Sequence, residues 1–112
     1  MEEEKFKRYP AVEKLISEIE PSKDIRVRVI GTIVEKNEDS SSIVLDDGVS
    51  SLSIIIPSDK MLNSIEVGKR VRVIGTIIPL GDDFELKAEI ISDFSELDYD
   101  LFLKIHSKTA EI

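Results

Sequence analysis

Cysteine is absent from the 112-residue sequence. Without it the chain can have no structural disulfide, no thiolate metal site and no cysteine nucleophile. Long apolar runs are also missing, which argues against a membrane-spanning helix, and the charged residues 1–8 lack the apolar stretch of a secretory signal peptide. We therefore expect an intracellular protein with no membrane partner.

Basic residues are in the minority, since 15 of them oppose 23 acidic residues and the formal charge is −8. Because nucleic-acid-binding proteins usually carry a clustered basic surface, the total charge predicts a poor stand-alone DNA binder. Eight acids and one base lie between residues 82 and 100, which leaves about −1 for the remainder. Basic residues cluster on two strand-like segments. They are Arg26, Arg28, Lys69, Arg70 and Arg72. Each set is either a solvated face or one side of a polarised module.

Groups suited to enzyme chemistry are scarce. His106 is the only histidine, lies near the end of the sequence and is expected to be solvent exposed. The adjacent acids Asp46-Asp47 and Asp82-Asp83 lack further ligands at calcium-loop spacing and are interpreted as turn formers. No glycine-rich phosphate loop is present. We expect no enzyme activity, cofactor, metal or small-molecule substrate.

The length suffices for one domain, and a hydrophobic content of 41% suffices for its core. Residues 1–9 are expected to form a flexible tail. A short amphipathic helix is predicted over residues 10–20, because Pro10 suits a first helical turn and four apolar residues form one stripe. These four are Val12, Leu15, Ile16 and Ile19.

Alternating and β-branched segments then predict five strands. They cover residues 25–34, 42–46, 49–56, 69–78 and 84–91. The dipeptide Asp47-Gly48 is a strong signal for a tight hairpin between the second and third strands. A short helix over residues 58–65, capped by Ser58, is predicted between the third and fourth.

The octapeptide Arg-Val-Arg-Val-Ile-Gly-Thr-Ile occurs at residues 26–33 and again at 70–77. The sequences that follow the two copies differ at once, so a tandem-repeat architecture is rejected. We infer instead that two strands occupy equivalent environments. Each has a wet edge, a bend at its glycine (Gly31 or Gly75) and a buried end.

These elements predict a mainly β fold: a five-stranded Greek-key OB-fold barrel over residues 24–93, with a short N-terminal helix and a C-terminal helix. In this barrel the first strand is long, curved and paired with the fourth. Another small barrel of similar length is the alternative, and the helix after the third strand favours the OB-fold.

The last segment, residues 94–112, is predicted to be a helix and tail capped by Ser95. Leu97, Leu101 and Ile105 recur at steps of four, and Phe102 widens this apolar face. Such a helix either folds back on its own barrel or binds a partner, and the sequence leaves both alternatives open.

Five segments carry a family resemblance. They are Lys-Arg-Tyr-Pro-Ala-Val-Glu-Lys (7–14), Arg-Val-Ile-Gly-Thr-Ile-Val (28–34), Leu-Asp-Asp-Gly (45–48), Val-Gly-Lys-Arg-Val-Arg-Val-Ile-Gly (67–75) and Ala-Glu-Ile-Ile-Ser-Asp-Phe-Ser-Glu-Leu-Asp (88–98). Together they resemble the small subunits of replication protein A, above all the archaeal small subunit, and more loosely the middle subunit and its telomere-capping relatives.

The resemblance implies a subunit of a heterotrimer that coats single-stranded DNA in replication, repair and recombination, in the cytoplasm and associated with the nucleoid. It also implies that this subunit joins the others through a C-terminal helix in a three-helix bundle. In that family the large subunit supplies most DNA contacts.

Direct DNA contact by this chain is expected to be weak. Sequence-tolerant strand binding needs a basic groove and aromatic faces on which bases stack, yet residues 42–56 contain no aromatic residue. Phe84 is the one barrel aromatic placed where a base could stack, although core packing is its competing role. The candidate nucleic-acid-binding set is Arg26, Arg28, Arg70, Arg72, Phe84 and Lys87.

Three functions follow from these observations. The first is a non-catalytic assembly subunit of a single-stranded-DNA-binding complex. Its candidate partner-binding residues are Leu97, Leu101, Phe102 and Ile105. The alternatives are a stand-alone OB-fold nucleic-acid-binding module and an OB-fold adaptor that binds only proteins. The aromatic residues Phe94, Tyr99 and Phe102 are attributed either to packing or to a partner helix.

Overall fold

A computed structural model of the chain describes residues 9–111. The predicted flexible tail, apart from Tyr9, lies outside the described residues. The strands are β1 Val12–Glu13, β2 Arg26–Asn37, β3 Ser42–Asp46, β4 Ser51–Ile55, β5 Arg70–Leu80 and β6 Asp83–Asp93. The helices are a 3-10 turn at Ile16–Glu18, α1 Asp59–Asn63 and α2 Tyr99–Glu111.

Strands β2 to β6 close into a five-stranded barrel. The first half of β2 pairs antiparallel with β5 and its second half pairs antiparallel with β3. Antiparallel pairs β3–β4 and β5–β6 follow, and a short parallel pairing of β4 with β6 closes the barrel. The predicted OB-fold is confirmed, including its long first strand paired with the fourth.

The two copies of the octapeptide lie side by side as antiparallel partners in β2 and β5. Val29 pairs with Val73 at the centre, and Arg26 and Thr76 pair at one end. Both central valines are fully buried. The same alternation of bases and valines therefore builds one outward basic face and one inward apolar face from both strands. The sequence predicted equivalent environments for the two octapeptide strands. The structure shows in addition that these strands pair with each other.

The two strand glycines share one steric requirement. A Cβ at Gly31 would lie 2.8 Å from the carbonyl oxygen of Asp46, and a Cβ at Gly75 would overlap the carbonyl oxygen of Lys87. The β5–β6 register shifts between Ile74 and Gly75, which confirms the predicted irregularity at Gly75. The β2–β3 register shifts between Ile33 and Glu35, after Gly31 and not at it.

The barrel interior is filled by aliphatic side chains. Its fully buried members come from all five barrel strands and the residue after β4. They are Val27, Val29, Ile33, Ile43, Leu45, Ile54, Ile56, Val73 and Leu86. Strands β3, β4 and β5 alternate buried and more exposed residues, and β2 does so except where Val29, Ile30 and Gly31 are buried in succession.

The predicted N-terminal helix over residues 10–20 is wrong in type and length. Val12 pairs in parallel with Val27, and the amide of Lys14 donates to the carbonyl of Arg28. Only Ile16–Glu18 turns, as a single 3-10 turn, and the Ile16 amide donates to the Asp47 carboxylate at 3.0 Å. The backbone groups that a helix would pair internally are taken by the barrel, so tertiary contacts override the helical spacing.

Helix α1 confirms the prediction, since the Ser58 hydroxyl accepts from the amide of Met61 at 3.1 Å and caps the helix. The predicted cap of the C-terminal helix is wrong. Helix α2 begins at Tyr99, and the Asp98 carboxylate accepts from the amide of Leu101 at 3.1 Å. Ser95 instead donates to Asp93 through its amide and its hydroxyl.

The hydrogen bonds from the Ser95 amide and hydroxyl lower the pKa of the Asp93 carboxyl and fix a tight turn after β6. The turn continues through Leu97, whose amide donates to the carbonyl of Phe94 at 3.0 Å. Leu97 therefore precedes the helix, and the predicted helical stripe begins at Leu101. Within residues 9–111, no helix has the length and apolar character needed to cross a membrane.

Candidate nucleic-acid and partner interfaces

In an OB-fold, single strands bind across the outer faces of the second and third barrel strands, which are β3 and β4 here. Those outward positions carry small, aliphatic and acidic side chains and no ring. They are Ser42, Val44 and Asp46 on β3 and Ser51, Ser53 and Ile55 on β4. This face therefore lacks the aromatic platforms on which bases stack.

Two members of the candidate nucleic-acid-binding set lie on β6. Phe84 is half-buried and packs against the hydrophobic core. Lys87 is exposed, beside Ile55 of β4 and Thr76 of β5. The structure brings Lys87, but not an exposed ring, to the edge of the groove.

Arg26 and Arg28 lie on the outer face of β2, and each is neutralised by a carboxylate. Arg26 Nε donates to Glu89 Oε1 at 2.9 Å, and the other oxygen of Glu89 accepts from the hydroxyl of Thr76 at 2.6 Å. Arg28 Nε lies 3.3 Å from Glu13 Oε1. Because each pair joins opposite charges on partly shielded side chains, these two arginines attract phosphate only weakly.

Arg70 and Arg72, on the outer face of β5, are covered by the residues that follow β6. Arg72 lies over the Phe94 ring, 4.8 Å from its centroid, and Arg70 lies over the Tyr99 ring at 4.9 Å. Arg70 also donates to the carbonyl of Leu97 at 3.3 Å. Cation–π contacts of this kind hold the guanidinium against the ring face. The packing role considered for Phe94 and Tyr99 is the one seen here.

One side of helix α2 docks on the barrel through a ladder of rings. Tyr99 stacks on Phe102 and Phe102 stacks on His106, with centroid separations of 5.7 and 5.9 Å. The Tyr99 hydroxyl donates to the carbonyl of Asp47 at 3.0 Å. This ladder occupies successive turns of one helix side, which is why its members meet.

The ladder ends in a histidine–carboxylate contact. His106 Nε2 lies 2.9 Å from Glu18 Oε1, and its side chain is only 14% exposed. The expected solvent exposure of His106 is therefore wrong. Partial burial acts to raise the pKa of Glu18, but hydrogen bonds from the amide of Leu15 and from His106 bring it below its ordinary value.

The other side of helix α2 faces solvent. Leu101 is 52% exposed and Ile105 is 56% exposed. Phe102 is half-buried on the docked side, and Leu97 is half-buried in the preceding turn. Of the four candidate partner-binding residues, the structure therefore brings two together on an exposed aliphatic stripe, which we define as Leu101 and Ile105.

Asp47 links the hairpin, the 3-10 turn and helix α2. Its carboxylate accepts from the amides of Ile16, Val49 and Ser50 at 2.9–3.0 Å, and its carbonyl accepts from Tyr99. The neighbouring Asp46 accepts from the amide of Gly48 at 2.7 Å. The prediction that these two acids form a turn is confirmed. Among the described residues, no group of three or more histidine and acidic side chains could hold a metal ion.

Several contact residues were missed from the sequence. Glu13 and Glu89 neutralise Arg28 and Arg26, and Glu18 holds His106. Glu89 lies on a predicted strand next to β5, so the alternation of charges on adjacent predicted strands could have indicated it. Glu13 and Glu18 carried no such signal, because both fall within the predicted N-terminal helix.

Ultraviolet absorbance should report the docking of helix α2 at alkaline pH. Burial raises the pKa of the Tyr99 phenol above its ordinary value, and the charges of Asp47 and Asp46 raise it further against the opposing Arg70. The folded protein therefore retains this proton at a pH where the unfolded chain has lost it. We expect the contribution of Tyr99 to stability to be constant below the ordinary tyrosine pKa and to be lost as pH rises from there through the folded-state pKa.

The measurement is an absorbance titration of the native chain and of Tyr99→Phe. The variant should lose one ionisation step, and the missing step should lie above the ordinary tyrosine pKa. A high-pH step that survives in Tyr99→Phe would contradict the assignment.

No protein-family model matches the chain, and no curated protein matches it. Solved structures do share its fold. The telomere-capping protein Ten1 from Saccharomyces pombe superposes with a TM-score of 0.69 at 18% identity, over 92% of this chain and 100% of that one. A chain of a replication protein A heterotrimer bound to single-stranded DNA gives 0.60 at 13% identity, over 78% and 74%.

The hypothetical protein ygiW from E. coli gives a TM-score of 0.59 at 18% identity, over 74% of this chain and 90% of that one. Proteins of different roles thus share this barrel, and at such low identities the likeness extends to the fold alone.

Proposed function

We propose that this chain is a non-catalytic subunit of a complex that binds single-stranded DNA, and that it acts mainly in assembly. We propose that it acts like an archaeal replication protein A small subunit, in DNA replication, repair and recombination. Its location would be the cytoplasm, in association with the nucleoid. The solved structures with this barrel include chains of a Stn1–Ten1 complex and of a replication protein A heterotrimer bound to single-stranded DNA. Both are assemblies of several subunits, and they motivate the same type of assembly here.

The observation that carries the proposal is the two-sided helix α2. Its ring ladder holds the helix on the barrel, while the aliphatic stripe of Leu101 and Ile105 is more than half exposed. Residues four apart on a helix form one ridge, and a partner helix can pack its own apolar ridge against it. The occupant we assign to the stripe is therefore an apolar helix of another subunit.

The outer face of β3 and β4 supports a minor role in DNA contact. It carries three serines, one acid and no ring, and Phe84 belongs to the core. Phosphate contact is left to side chains at the periphery, and Lys87 is the exposed member of the candidate set. Most of the affinity for a single strand would then come from the partner subunits.

The test is recovery of the native complex from the source cells with a tagged full chain, followed by mass measurement of the intact assembly. Leu101→Asp should reduce the recovered partner subunits about tenfold or more, because it places a charge in the centre of an apolar contact. Val67→Asp is the matched control, since Val67 is 56% exposed and lies in the turn before β5.

Both variants should match the native chain in circular dichroism and thermal midpoint. Equal recovery of partners with Leu101→Asp and the native chain would refute the assembly role of the stripe. Recovery of partners without any nucleic acid, at any salt concentration, would favour the adaptor that binds only proteins.

A further inference from the structure

The four arginines on the outer faces of β2 and β5 fall into two classes. Arg26 and Arg28 each meet a carboxylate. Arg70 and Arg72 meet two rings and one backbone carbonyl, and within the described residues neither forms a salt bridge. We call Arg70 and Arg72 the arginine pair. Both side chains are half-buried, and among the described residues no acid forms a salt bridge with either of them.

The residues directly opposite the arginine pair on the neighbouring strands are uncharged. Arg72 lies between Ile30 of β2 and Ser92 of β6, and Arg70 lies opposite Thr32 of β2. The two arginines are two residues apart on one strand face, a spacing of about 6.6 Å along the strand. The residues directly opposite Arg72 therefore carry no charge, whereas Asp46 and Asp47 at the end of β3 line one pocket with Arg70 and Tyr99.

The cover over the pair is the terminal segment, which we define as residues 94–107. It contributes the rings of Phe94 and Tyr99, and it also carries the acids Glu96, Asp98 and Asp100. When this segment lies on the barrel, the Phe94 and Tyr99 rings lie over the guanidinium groups of Arg72 and Arg70. When it leaves, its acids leave with it.

One hydrogen-bond donor of the arginine pair is unsatisfied while the terminal segment lies on the barrel. Arg72 Nε is buried and has no hydrogen-bond partner. A buried donor without an acceptor favours any rearrangement that supplies one. Phosphate oxygens are acceptors that guanidinium groups bind with two donors at once.

We propose that the arginine pair is a covered binding surface for the phosphodiester backbone of a single-stranded nucleic acid, and that the terminal segment is its displaceable cover. Guanidinium groups bind the phosphates of a single strand, and the rings that cover them here keep the strand away. In the closed chain the two guanidinium groups contact the rings of the terminal segment. Engagement of the terminal segment by a partner subunit would release them. This inference rests on the proposed function.

The experiment compares the binding of a fluorescein-labelled oligodeoxythymidylate to the native chain and to Phe94→Ala/Tyr99→Ala at low salt. The double variant removes the rings and keeps both arginines. It is expected to bind about tenfold tighter or more, and its affinity should fall more steeply with salt. Two added phosphate contacts would steepen the slope of log affinity against log salt by about 1.4, at about 0.7 per contact for single strands.

Two further variants in the uncovered background locate the gain. Adding Arg70→Gln/Arg72→Gln should abolish it. Adding Lys23→Gln/Lys60→Gln removes the same charge from exposed positions away from β5 and should preserve most of it. No gain on removing the rings, or a gain that persists without the arginine pair, would overturn the proposal.

A second measurement on the native chain applies if the double variant does not fold. Excess oligodeoxythymidylate should then accelerate amide hydrogen exchange across α2, because binding at the pair and docking of the helix exclude one another. Unchanged exchange would overturn the proposal. These outcomes can be separated from the test of assembly. If the native chain recovers partners but removal of the rings does not raise the affinity for the oligonucleotide, only the covered surface is rejected. If removal of the rings raises this affinity but no partners are recovered, only the assembly role is rejected.

Discussion

Replacing Asp47 with alanine is expected to lower the free energy of unfolding by about 3 kcal/mol, more than any other substitution in the hairpin between β3 and β4. The Asp47 side chain is buried, and its carboxylate accepts three amide hydrogen bonds, from Ile16, Val49 and Ser50. Alanine would leave the amide of Ile16 buried without an acceptor, since Ile16 is only 5% exposed. Loss of one such bond to a charged acceptor costs about 1.5–3 kcal/mol.

The change should also loosen helix α2, because the carbonyl of Asp47 is the acceptor for the Tyr99 hydroxyl. Urea unfolding followed by circular dichroism measures the loss of stability, and hydrogen exchange of the α2 amides measures the loosening. Asp46→Ala is the matched control. Asp46 accepts one exposed amide, that of Gly48, and its replacement should cost below about 1 kcal/mol. Similar losses for Asp46→Ala and Asp47→Ala would contradict this account.

The strands were predictable because their information is local. The alternation of Arg26 to Val29 and of Phe84 to Glu89 specifies an outer and an inner face wherever the strand is placed. Asp47 and Gly48 specify the hairpin, since the carboxylate binds amides two and three residues ahead and Gly48 adopts a positive φ of 98°. Ser58 specifies the start of α1 in the same local way.

The errors lie where distant residues decide the outcome. The apolar spacing before residue 20 suits a helix, but its amides find acceptors on β2 and on Asp47, which is 31 residues away from Ile16. His106 is held by Glu18 across 88 residues, and Arg26 by Glu89 across 63. A single sequence does not reveal such contacts. Arg26 was therefore predicted as an available cation and His106 as solvent exposed.

The acidic stretch before helix α2 has a structural role that the total charge obscured. Glu89 neutralises Arg26, Asp93 fixes the turn that aims the chain back over β5, and Asp98 caps the helix. The acids thus position the terminal segment above the arginine pair. A chain with a net negative charge can in this way cover the arginine pair, whose members form no salt bridge among the described residues.

Gly75→Ala is expected to destabilise the barrel by about 3 kcal/mol or more, which would leave a domain of this size close to unfolding. A Cβ at Gly75 would overlap the carbonyl oxygen of Lys87 and lie 3.0 Å from Cγ of the fully buried Leu86. Neither can move freely, because the first is backbone in β6 and the second is in the core. Close packing makes the strain hard to relieve.

The register explains why this position must lack a side chain. Ala88 lies opposite Gly75 and Ile90 lies opposite Ile74, so the ladder skips Glu89 and bends there. The bend sets Glu89 beside Arg26 and Thr76. Gly75→Ala should therefore weaken the neutralisation of Arg26 in whatever fraction remains folded.

Urea unfolding of Gly75→Ala and Gly81→Ala separates steric overlap from backbone strain. Gly81 has a positive φ of 62° and open space around it, so alanine there incurs only the cost of a left-handed conformation, about 1 kcal/mol. Gly75 has the overlap instead. If Gly75→Ala proves no more damaging than Gly81→Ala, then β6 can shift away from β5, and the bend is not the fixed feature that places Glu89 against Arg26.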